Sequence, residues 1–360
     1  MTTFISPDTV ITNYHHLLND GRVQCDLCPR FCKLHEGQRG LCFIRQAINK
    51  QIVMTSYGRS SGFAIDPIEK KPLNHFLPNT PILSFGTAGC NLACKFCQNW
   101  DISKSREMDT LMRQAQPNAI AKAALDYGCD SVAYTYNDPI IFHEYAIDIA
   151  LACRELGIKS VAVSSGYVCA EPRAEFYNLM DAANIDLKAF SEDFYYRITG
   201  GHLQPVLETL QYIKQETKVW LELTTLLIPD ENDSEKELEA MSQWVFENLG
   251  ADVPMHFTAF HPDWKMRDKK ATPLNTLLRA RQIALKNGIR YAYIGNAHNK
   301  EASSTYCHHC GQLLIGRDWY QLSQWNLNAL GQCRFCNTPC AGVFNKTHGD
   351  WGAKRQAIII

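Results

Sequence analysis

Between residues 81 and 295, short apolar β-rich runs alternate with segments of helical pattern, and this alternation restricts the chain to folds built on a parallel sheet. The runs are Pro81-Ile-Leu-Ser-Phe, Ser131-Val-Ala-Tyr-Thr-Tyr, Ser160-Val-Ala-Val-Ser, Asn184-Ile-Asp-Leu-Lys, Val219-Trp-Leu-Glu-Leu-Thr-Thr and Met255-His-Phe-Thr-Ala-Phe, with Tyr291-Ala-Tyr-Ile as a closing strand. Helices are expected over Asn118 to Tyr127, Ile140 to Leu156, Glu171 to Met180, Leu203 to Gln215, Ser234 to Leu249 and Leu274 to Asn287. Gly128 and Gly157 follow two of them directly, and Ser234 with Glu237 has the spacing of a capping box. About six strand-helix units predict an α/β fold, a partial (β/α)6 TIM-like barrel whose chemistry gathers at the C-terminal ends of the strands.

The 15 cysteines fall mainly into three groups, at 25 to 42, 90 to 97 and 307 to 340. The N-terminal residues Met-Thr-Thr-Phe-Ile-Ser-Pro-Asp lack the basic and apolar regions of a secretory signal, so a cytoplasmic location is expected and the cysteines read as metal ligands. No apolar run approaches the roughly 20 residues of a membrane span. Lys+Arg 36 against Asp+Glu 37 leaves a charge of -1, which gives no bulk signal for nucleic acid or anionic lipid. Three regions are expected: a cysteine-rich N-terminal segment over 1–75, the barrel over 76–300 and a ribbon-like C-terminal segment over 301–360.

The run Cys90-Asn-Leu-Ala-Cys94-Lys-Phe-Cys97 follows the first predicted strand and offers three thiolates. An iron-sulfur cube held by three cysteines keeps one iron for a small molecule, whereas a tetrahedral zinc site usually shows paired knuckles. The other strand ends are polar where a buried strand should be apolar: Asn137-Asp138, Ser164-Ser165, Asp186-Leu-Lys188 and Phe260-His261. Helix capping accounts for Asn137 or Asp138 taken singly. A ring of polar groups around one mouth is more than capping requires.

CxxxCxxC with Phe96 before the third cysteine resembles the radical S-adenosylmethionine (SAM) superfamily. Thr135-Tyr-Asn-Asp-Pro139, Asp186-Leu-Lys188, Ile198-Thr-Gly200, Ile228-Pro-Asp-Glu-Asn-Asp233 and Phe260-His-Pro262 resemble its pyruvate formate-lyase activating enzyme branch. The run from Cys97 to Lys104, the N-terminal Cys-Asp-Leu-Cys-Pro-Arg and the cysteine-rich tail are closest to the AmmeMemoRadiSam-system enzymes. The resemblance implies a 4Fe-4S cluster on Cys90, Cys94 and Cys97 whose open iron binds SAM. It puts the backbone near Phe96 against the adenine, Asn137 and Asp138 at the methionyl amine, Lys188 at the methionyl carboxylate and His261 near the ribose. Asp138 stands where the related activases usually have glutamate, so water is expected to bridge that contact. Asp186 with Ser164 or Ser165 resembles a monovalent-cation site. A reductant such as flavodoxin or ferredoxin is implied as partner.

Cys307-His-His-Cys310 and Cys333-Arg-Phe-Cys336 have the spacing of a zinc ribbon, with zinc preferred over a rubredoxin-like iron. Cys25, Cys28, Cys32 and Cys42 are four more candidate ligands, suiting zinc or a second iron-sulfur cluster, with zinc preferred. Cys129 and Cys153 read as small buried hydrophobes, and Cys169 lies on the presumed active face. Three functions fit: hydrogen abstraction from a protein, as glycyl-radical activases perform; the same chemistry on a small molecule or peptide; and a metal-rich binding module with a structural cluster, against which the near-neutral charge speaks.

Overall fold

The computed structural model describes residues 2–106, 111 and 113–360. Its central sheet contains, in chain order, β1 (Phe63–Pro67), β2 (Pro81–Phe85), β3 (Ser131–Tyr134), β4 (Lys159–Ser164), β5 (Ala182–Asp186), β6 (Trp220–Leu227), β7 (Met255–Ala259), β8 (Ala292–Gly295) and β9 (Gln356–Ile358). They lie side by side as β8-β7-β6-β5-β4-β3-β2-β1-β9. From β2 to β8 all neighbours are parallel; β1 pairs antiparallel with β2, and β9 antiparallel with β1. All seven expected strands are present. β8 and β9 form the two edges, so the barrel is open. Ser131–Tyr134 is buried along its length, the pattern of a parallel strand covered on both faces.

A helix follows each of β2 to β7: α1 (Pro117–Asp126), α2 (His143–Glu155), α3 (Ala170–Tyr177), α4 (Gln204–Glu216), α5 (Glu235–Leu249) and α6 (Leu274–Lys286). Proline takes the first turn of α1, where its missing N–H costs nothing. The expected helix from Ile140 to Leu156 divides into a 3-10 turn over Pro139–Phe142 and then α2, because Asp138 caps Ile140 at 3.0 Å and begins the turn early. Ser234 accepts from the Glu237 amide at 3.3 Å, as a capping box requires. The Glu237 carboxylate turns away and accepts from the Phe190 amide at 2.7 Å, tying α5 to the loop after β5. Phe85 of β2 meets Phe142 and Tyr145, each at a centroid distance of 5.8 Å, so α2 docks through buried rings, each stabilising by about 2–3 kcal/mol.

Both flanks feed the central sheet. β1 precedes the span expected for the barrel and β9 follows it. The C-terminal ribbon is a three-stranded sheet of Thr305–Tyr306, Leu313–Asp318 and Gln321–Trp325. Beyond it the chain runs along residues 75–79, where the Leu77 amide donates to Val343 O at 2.8 Å and Asn79 Nδ2 to Gly349 O at 2.7 Å. The barrel interior on this side is polar. Fully buried Glu222 accepts from the amides of Asn74 (3.0 Å) and His75 (2.7 Å), from Trp220 Nε1 (2.9 Å), and pairs with His256 Nε2 (2.7 Å). Burial opposes its charge, but His256 and these donors hold the carboxyl below the usual glutamate range.

Glu69 behaves oppositely. Burial raises its carboxyl to about 7, with Arg317 offsetting only part of the shift. The folded state therefore binds more protons than the unfolded chain between pH 4.5 and about 7, and stability contributed below that window is lost as the pH rises through it. The loss is on the order of 3 kcal/mol. Glu69→Gln should flatten this dependence: urea midpoints at pH 5 and pH 8 should differ less in the variant than in the wild type, and equal differences would contradict the assignment.

Candidate active site

The loop after β2 is shaped by glycine. At Gly86 a Cβ would lie 2.4 Å from Thr135 O, and at Gly89, where φ is +89°, 1.9 Å from Cys42 O. Only a residue without Cβ lets the loop pass this close. Asn137 then braces it: Nδ2 donates to Thr87 O and Gly89 O, both at 2.8 Å, and Oδ1 accepts from the Thr87 amide at 3.2 Å. The Ile198-Thr-Gly200 run holds the next stretch, with the Ala93 amide donating to Thr199 O (2.8 Å) and the Lys95 amide to Ile198 O (3.0 Å).

Cys90, Cys94 and Cys97 consequently face one cavity at the C-terminal mouth of the sheet, together with Phe96, Asn137, Asp138, Ser164, Asp186 and Lys188. Burial pushes the Cys90 thiol up to about 12 and the Cys94 thiol above its usual value, so a metal ligated there must displace protons. Cys97 Sγ lies 2.9 Å from Ser103 Oγ. Lys188 Nζ sits 2.8 Å from Asp186 Oδ2 and 5.7 Å from the centre of the Phe96 ring. Burial works against the ammonium, but the Asp186 carboxylate and the Cys94 sulfur outweigh it and keep the charge on.

Several expected contacts are arranged differently. Asn137 lines the cavity, but its amide is spent on the cysteine loop. Asp138 caps Ile140 through Oδ1, and its Oδ2 accepts from the Ser165 amide (2.8 Å), from Ser164 Oγ (3.2 Å) and from Ser165 Oγ. With these donors the roughly four lone-pair sites of a carboxylate are filled. Its pKa is raised by burial, which those hydrogen bonds only partly offset. The carboxylate ties the ends of β3 and β4 together, and the shorter side chain suits that task. The expected cation donors do not converge, because Ser164 is turned to Asp138 and Asp186 to Lys188. His261 stays outside the cavity, its side chain 62% exposed, with Nδ1 2.8 Å from Gln98 Nε2. Phe260 takes the inward position instead, its amide donating to Thr272 Oγ1 at 2.9 Å.

Residues that strand-end reasoning missed complete the mouth: Lys70, Lys71, Tyr136 and Tyr320. Tyr136 OH donates to Asp66 Oδ2 at 3.1 Å, and Lys71 Nζ pairs with the same oxygen at 2.7 Å. Burial disfavours the Asp66 charge, but Lys71 and Lys70 overcome it and hold the carboxyl at about 2. The adjacent Lys70-Lys71 pair, two residues before buried Leu73, was the available signal, whereas Tyr320 arrives on a hairpin turn of the ribbon that no local pattern connects to the barrel.

Residues 85–241 match the radical SAM superfamily. Over 324 residues, 90% of this chain and 96% of the relative, the sequence is 39% identical to an uncharacterized protein of Methanocaldococcus jannaschii. The chain belongs to the radical SAM superfamily. It is also similar to the 4-hydroxyphenylacetate decarboxylase activating enzyme of Clostridioides difficile, 22% identical over 62% of this chain and 74% of that enzyme. The pyruvate formate-lyase-activating enzyme of Clostridium pasteurianum is 23% identical over 51% of this chain and 81% of its own length. These relatives put the chain in the pyruvate formate-lyase activating enzyme-like branch. Radical SAM proteins carry a 4Fe-4S cluster and SAM, and the donor set fits: three thiols on one loop face the cavity beside a charged lysine and a buried aromatic ring.

The ribbon has a different geometry. Cys307, Cys310, Cys333 and Cys336 are, among the described residues, the set whose ligand atoms all lie within 4.8 Å of one another. Cys307 Sγ is 3.6 Å from Cys336 Sγ, and Cys310 Sγ 3.7 Å from Cys333 Sγ. Among the described residues no helix is long and apolar enough to cross a membrane.

Asn137→Ala would leave the Thr87 amide and two loop carbonyls without their side-chain partner. A loss of about 2–3 kcal/mol is expected, with iron loading reduced in the same preparation. A melting midpoint and iron content equal to the wild type would show that the loop is held by other contacts.

Proposed function

We propose that this protein uses a 4Fe-4S cluster on Cys90, Cys94 and Cys97 to cleave SAM and abstracts hydrogen from a polypeptide, as glycyl-radical activases do. The observation that carries this reading is the convergence of the three cysteines and Lys188 on one cavity at the open mouth of the sheet. The activating-enzyme relatives support the substrate class. Cluster and SAM together supply a 5′-deoxyadenosyl radical from a single electron. The protein's own residues supply position. Asn137 fixes the cysteine loop, and Asp138 fixes the β3 and β4 ends. Lys188, held charged beside Phe96, offers the methionyl carboxylate a cation, with Asp186 as the partner it must share. Lys70, Tyr136 and Tyr320 flank the route by which a polypeptide reaches the mouth. A flavodoxin- or ferredoxin-class protein is the electron donor, acting from the cytoplasm.

The ribbon is assigned a structural zinc. Tetrahedral thiolates at a Zn–S distance of about 2.3 Å stand about 3.8 Å apart, close to the observed sulfur separations.

Deuterium transfer tests the substrate class. Anaerobically reconstituted protein, SAM and reductant should move deuterium from a glycine-deuterated partner polypeptide into 5′-deoxyadenosine. Cleavage of SAM with no transfer from any polypeptide, but transfer from deuterated small metabolites, would overturn the protein-substrate reading.

A further inference from the structure

Cys25, Cys28, Cys32 and Cys42 all line a single recess beneath the cysteine loop. Leu27, Leu34, Ile140 and Ile141 make its walls mostly apolar. The hairpin of Val23–Cys25 and Lys33–Leu34 sets three of the thiols around one end, and the turn at Gly40-Leu41-Cys42 brings the fourth.

The spacing distinguishes this set from the ribbon. Around one ion, four sulfurs lie about 3.8 Å apart, and the ribbon cysteines do so. The N-terminal sulfurs are not gathered in that way, since the ribbon is the set within 4.8 Å among the described residues. They are spread around a common recess instead. A four-iron cube demands this arrangement, because each thiolate binds outward of its own iron at one corner. Such a cluster carries net negative charge when four thiolates hold it. Arg45 faces the recess with its charge met by Glu144, at 2.8 and 2.6 Å. Arg30 also faces it, and its buried Nη2 has no hydrogen-bond partner among the described residues.

We infer that Cys25, Cys28, Cys32 and Cys42 bind a second 4Fe-4S cluster, fully ligated by protein, in place of the zinc that spacing alone favours. Its setting is specific. Arg30 Nε donates to Asn91 O at 2.9 Å, and the Cys42 carbonyl abuts Gly89, so both neighbours of Cys90 are touched by the N-terminal cysteine segment. The second cluster is thus a one-electron centre packed directly against the loop that carries the first. This assignment stands apart from the substrate reading and survives its failure.

The test is the full-length Cys90→Ala/Cys94→Ala/Cys97→Ala variant, purified anaerobically and reconstituted with iron and sulfide. It should retain about half the wild-type iron and sulfide, with the Mössbauer signature of a 4Fe-4S cluster and a single zinc per chain. In Cys28→Ala/Cys32→Ala the complementary half should be lost. Two zincs per chain with no iron in the triple variant would overturn the proposal, as would a single tetrathiolate iron. Should a variant fail to fold, wild-type iron decides: about eight per chain supports two clusters, and about four with two zincs refutes the second.

Discussion

Replacing Cys94 with alanine should abolish SAM cleavage, with a loss of at least about 10³-fold, equivalent to some 4 kcal/mol of barrier. Cys94 is buried within the loop, and its neighbours in the cavity are the other two thiols, Phe96 and Lys188. No other thiol lines that cavity among the described residues, so no nearby sulfur replaces the lost ligand. The ribbon lies on a separate part of the fold and should keep its metal, as the variant's zinc content will show. Cleavage at the wild-type rate in Cys94→Ala would remove the three-cysteine site from the chemistry. Loss of cleavage together with loss of the ribbon metal would indicate unfolding, and a matched melting curve separates the two.

Gly89→Ala should be among the most damaging single methyl additions. Alanine at φ +89° is strained by about 1–2 kcal/mol, and its Cβ would lie 1.9 Å from Cys42 O, which must move. That oxygen belongs to the turn that carries Cys42, so displacement disturbs both cysteine groups. A destabilisation of about 4 kcal/mol is expected, a fall in melting midpoint on the order of 8 °C or more. Gly21→Ala is the control. Its φ is +83°, but nothing lies within 4 Å of the added carbon, so only the strain remains, about 1–2 kcal/mol. Equal effects at the two positions would mean that the contact with Cys42 relaxes freely and that the loops are not packed as described.

The strand-helix alternation was legible because buried parallel strands leave continuous apolar runs and the helices carry end signals. Its limits are also physical. The division before Ile140-Ile141-Phe142 was hidden because the Asp138 cap competes locally with the helix, and β9 was hidden because three residues of tail become a strand only when β1 offers an edge. The cysteine loop could be read from spacing. Asn137 and Asp138 could be singled out as important, but their work is internal: one holds the loop, the other joins two strands, and sequence cannot tell which way an amide or carboxylate turns. His261 fails for a similar reason, since Phe260 competes for the inward position. Tyr320 and Arg317 reach the barrel from a ribbon more than 50 residues away from β7, and only the tertiary contacts along residues 74–79 reveal it.

The central claim is that the Cys90, Cys94 and Cys97 site holds a cluster with one iron free for SAM. Electron paramagnetic resonance of the dithionite-reduced protein, recorded with and without SAM, tests it most directly when the spectrum of Cys90→Ala/Cys94→Ala/Cys97→Ala is subtracted. The difference signal should be that of a reduced 4Fe-4S cluster, and its g-values should shift on adding SAM. A difference signal that SAM leaves unchanged, or no difference signal in fully reconstituted protein, would contradict the account.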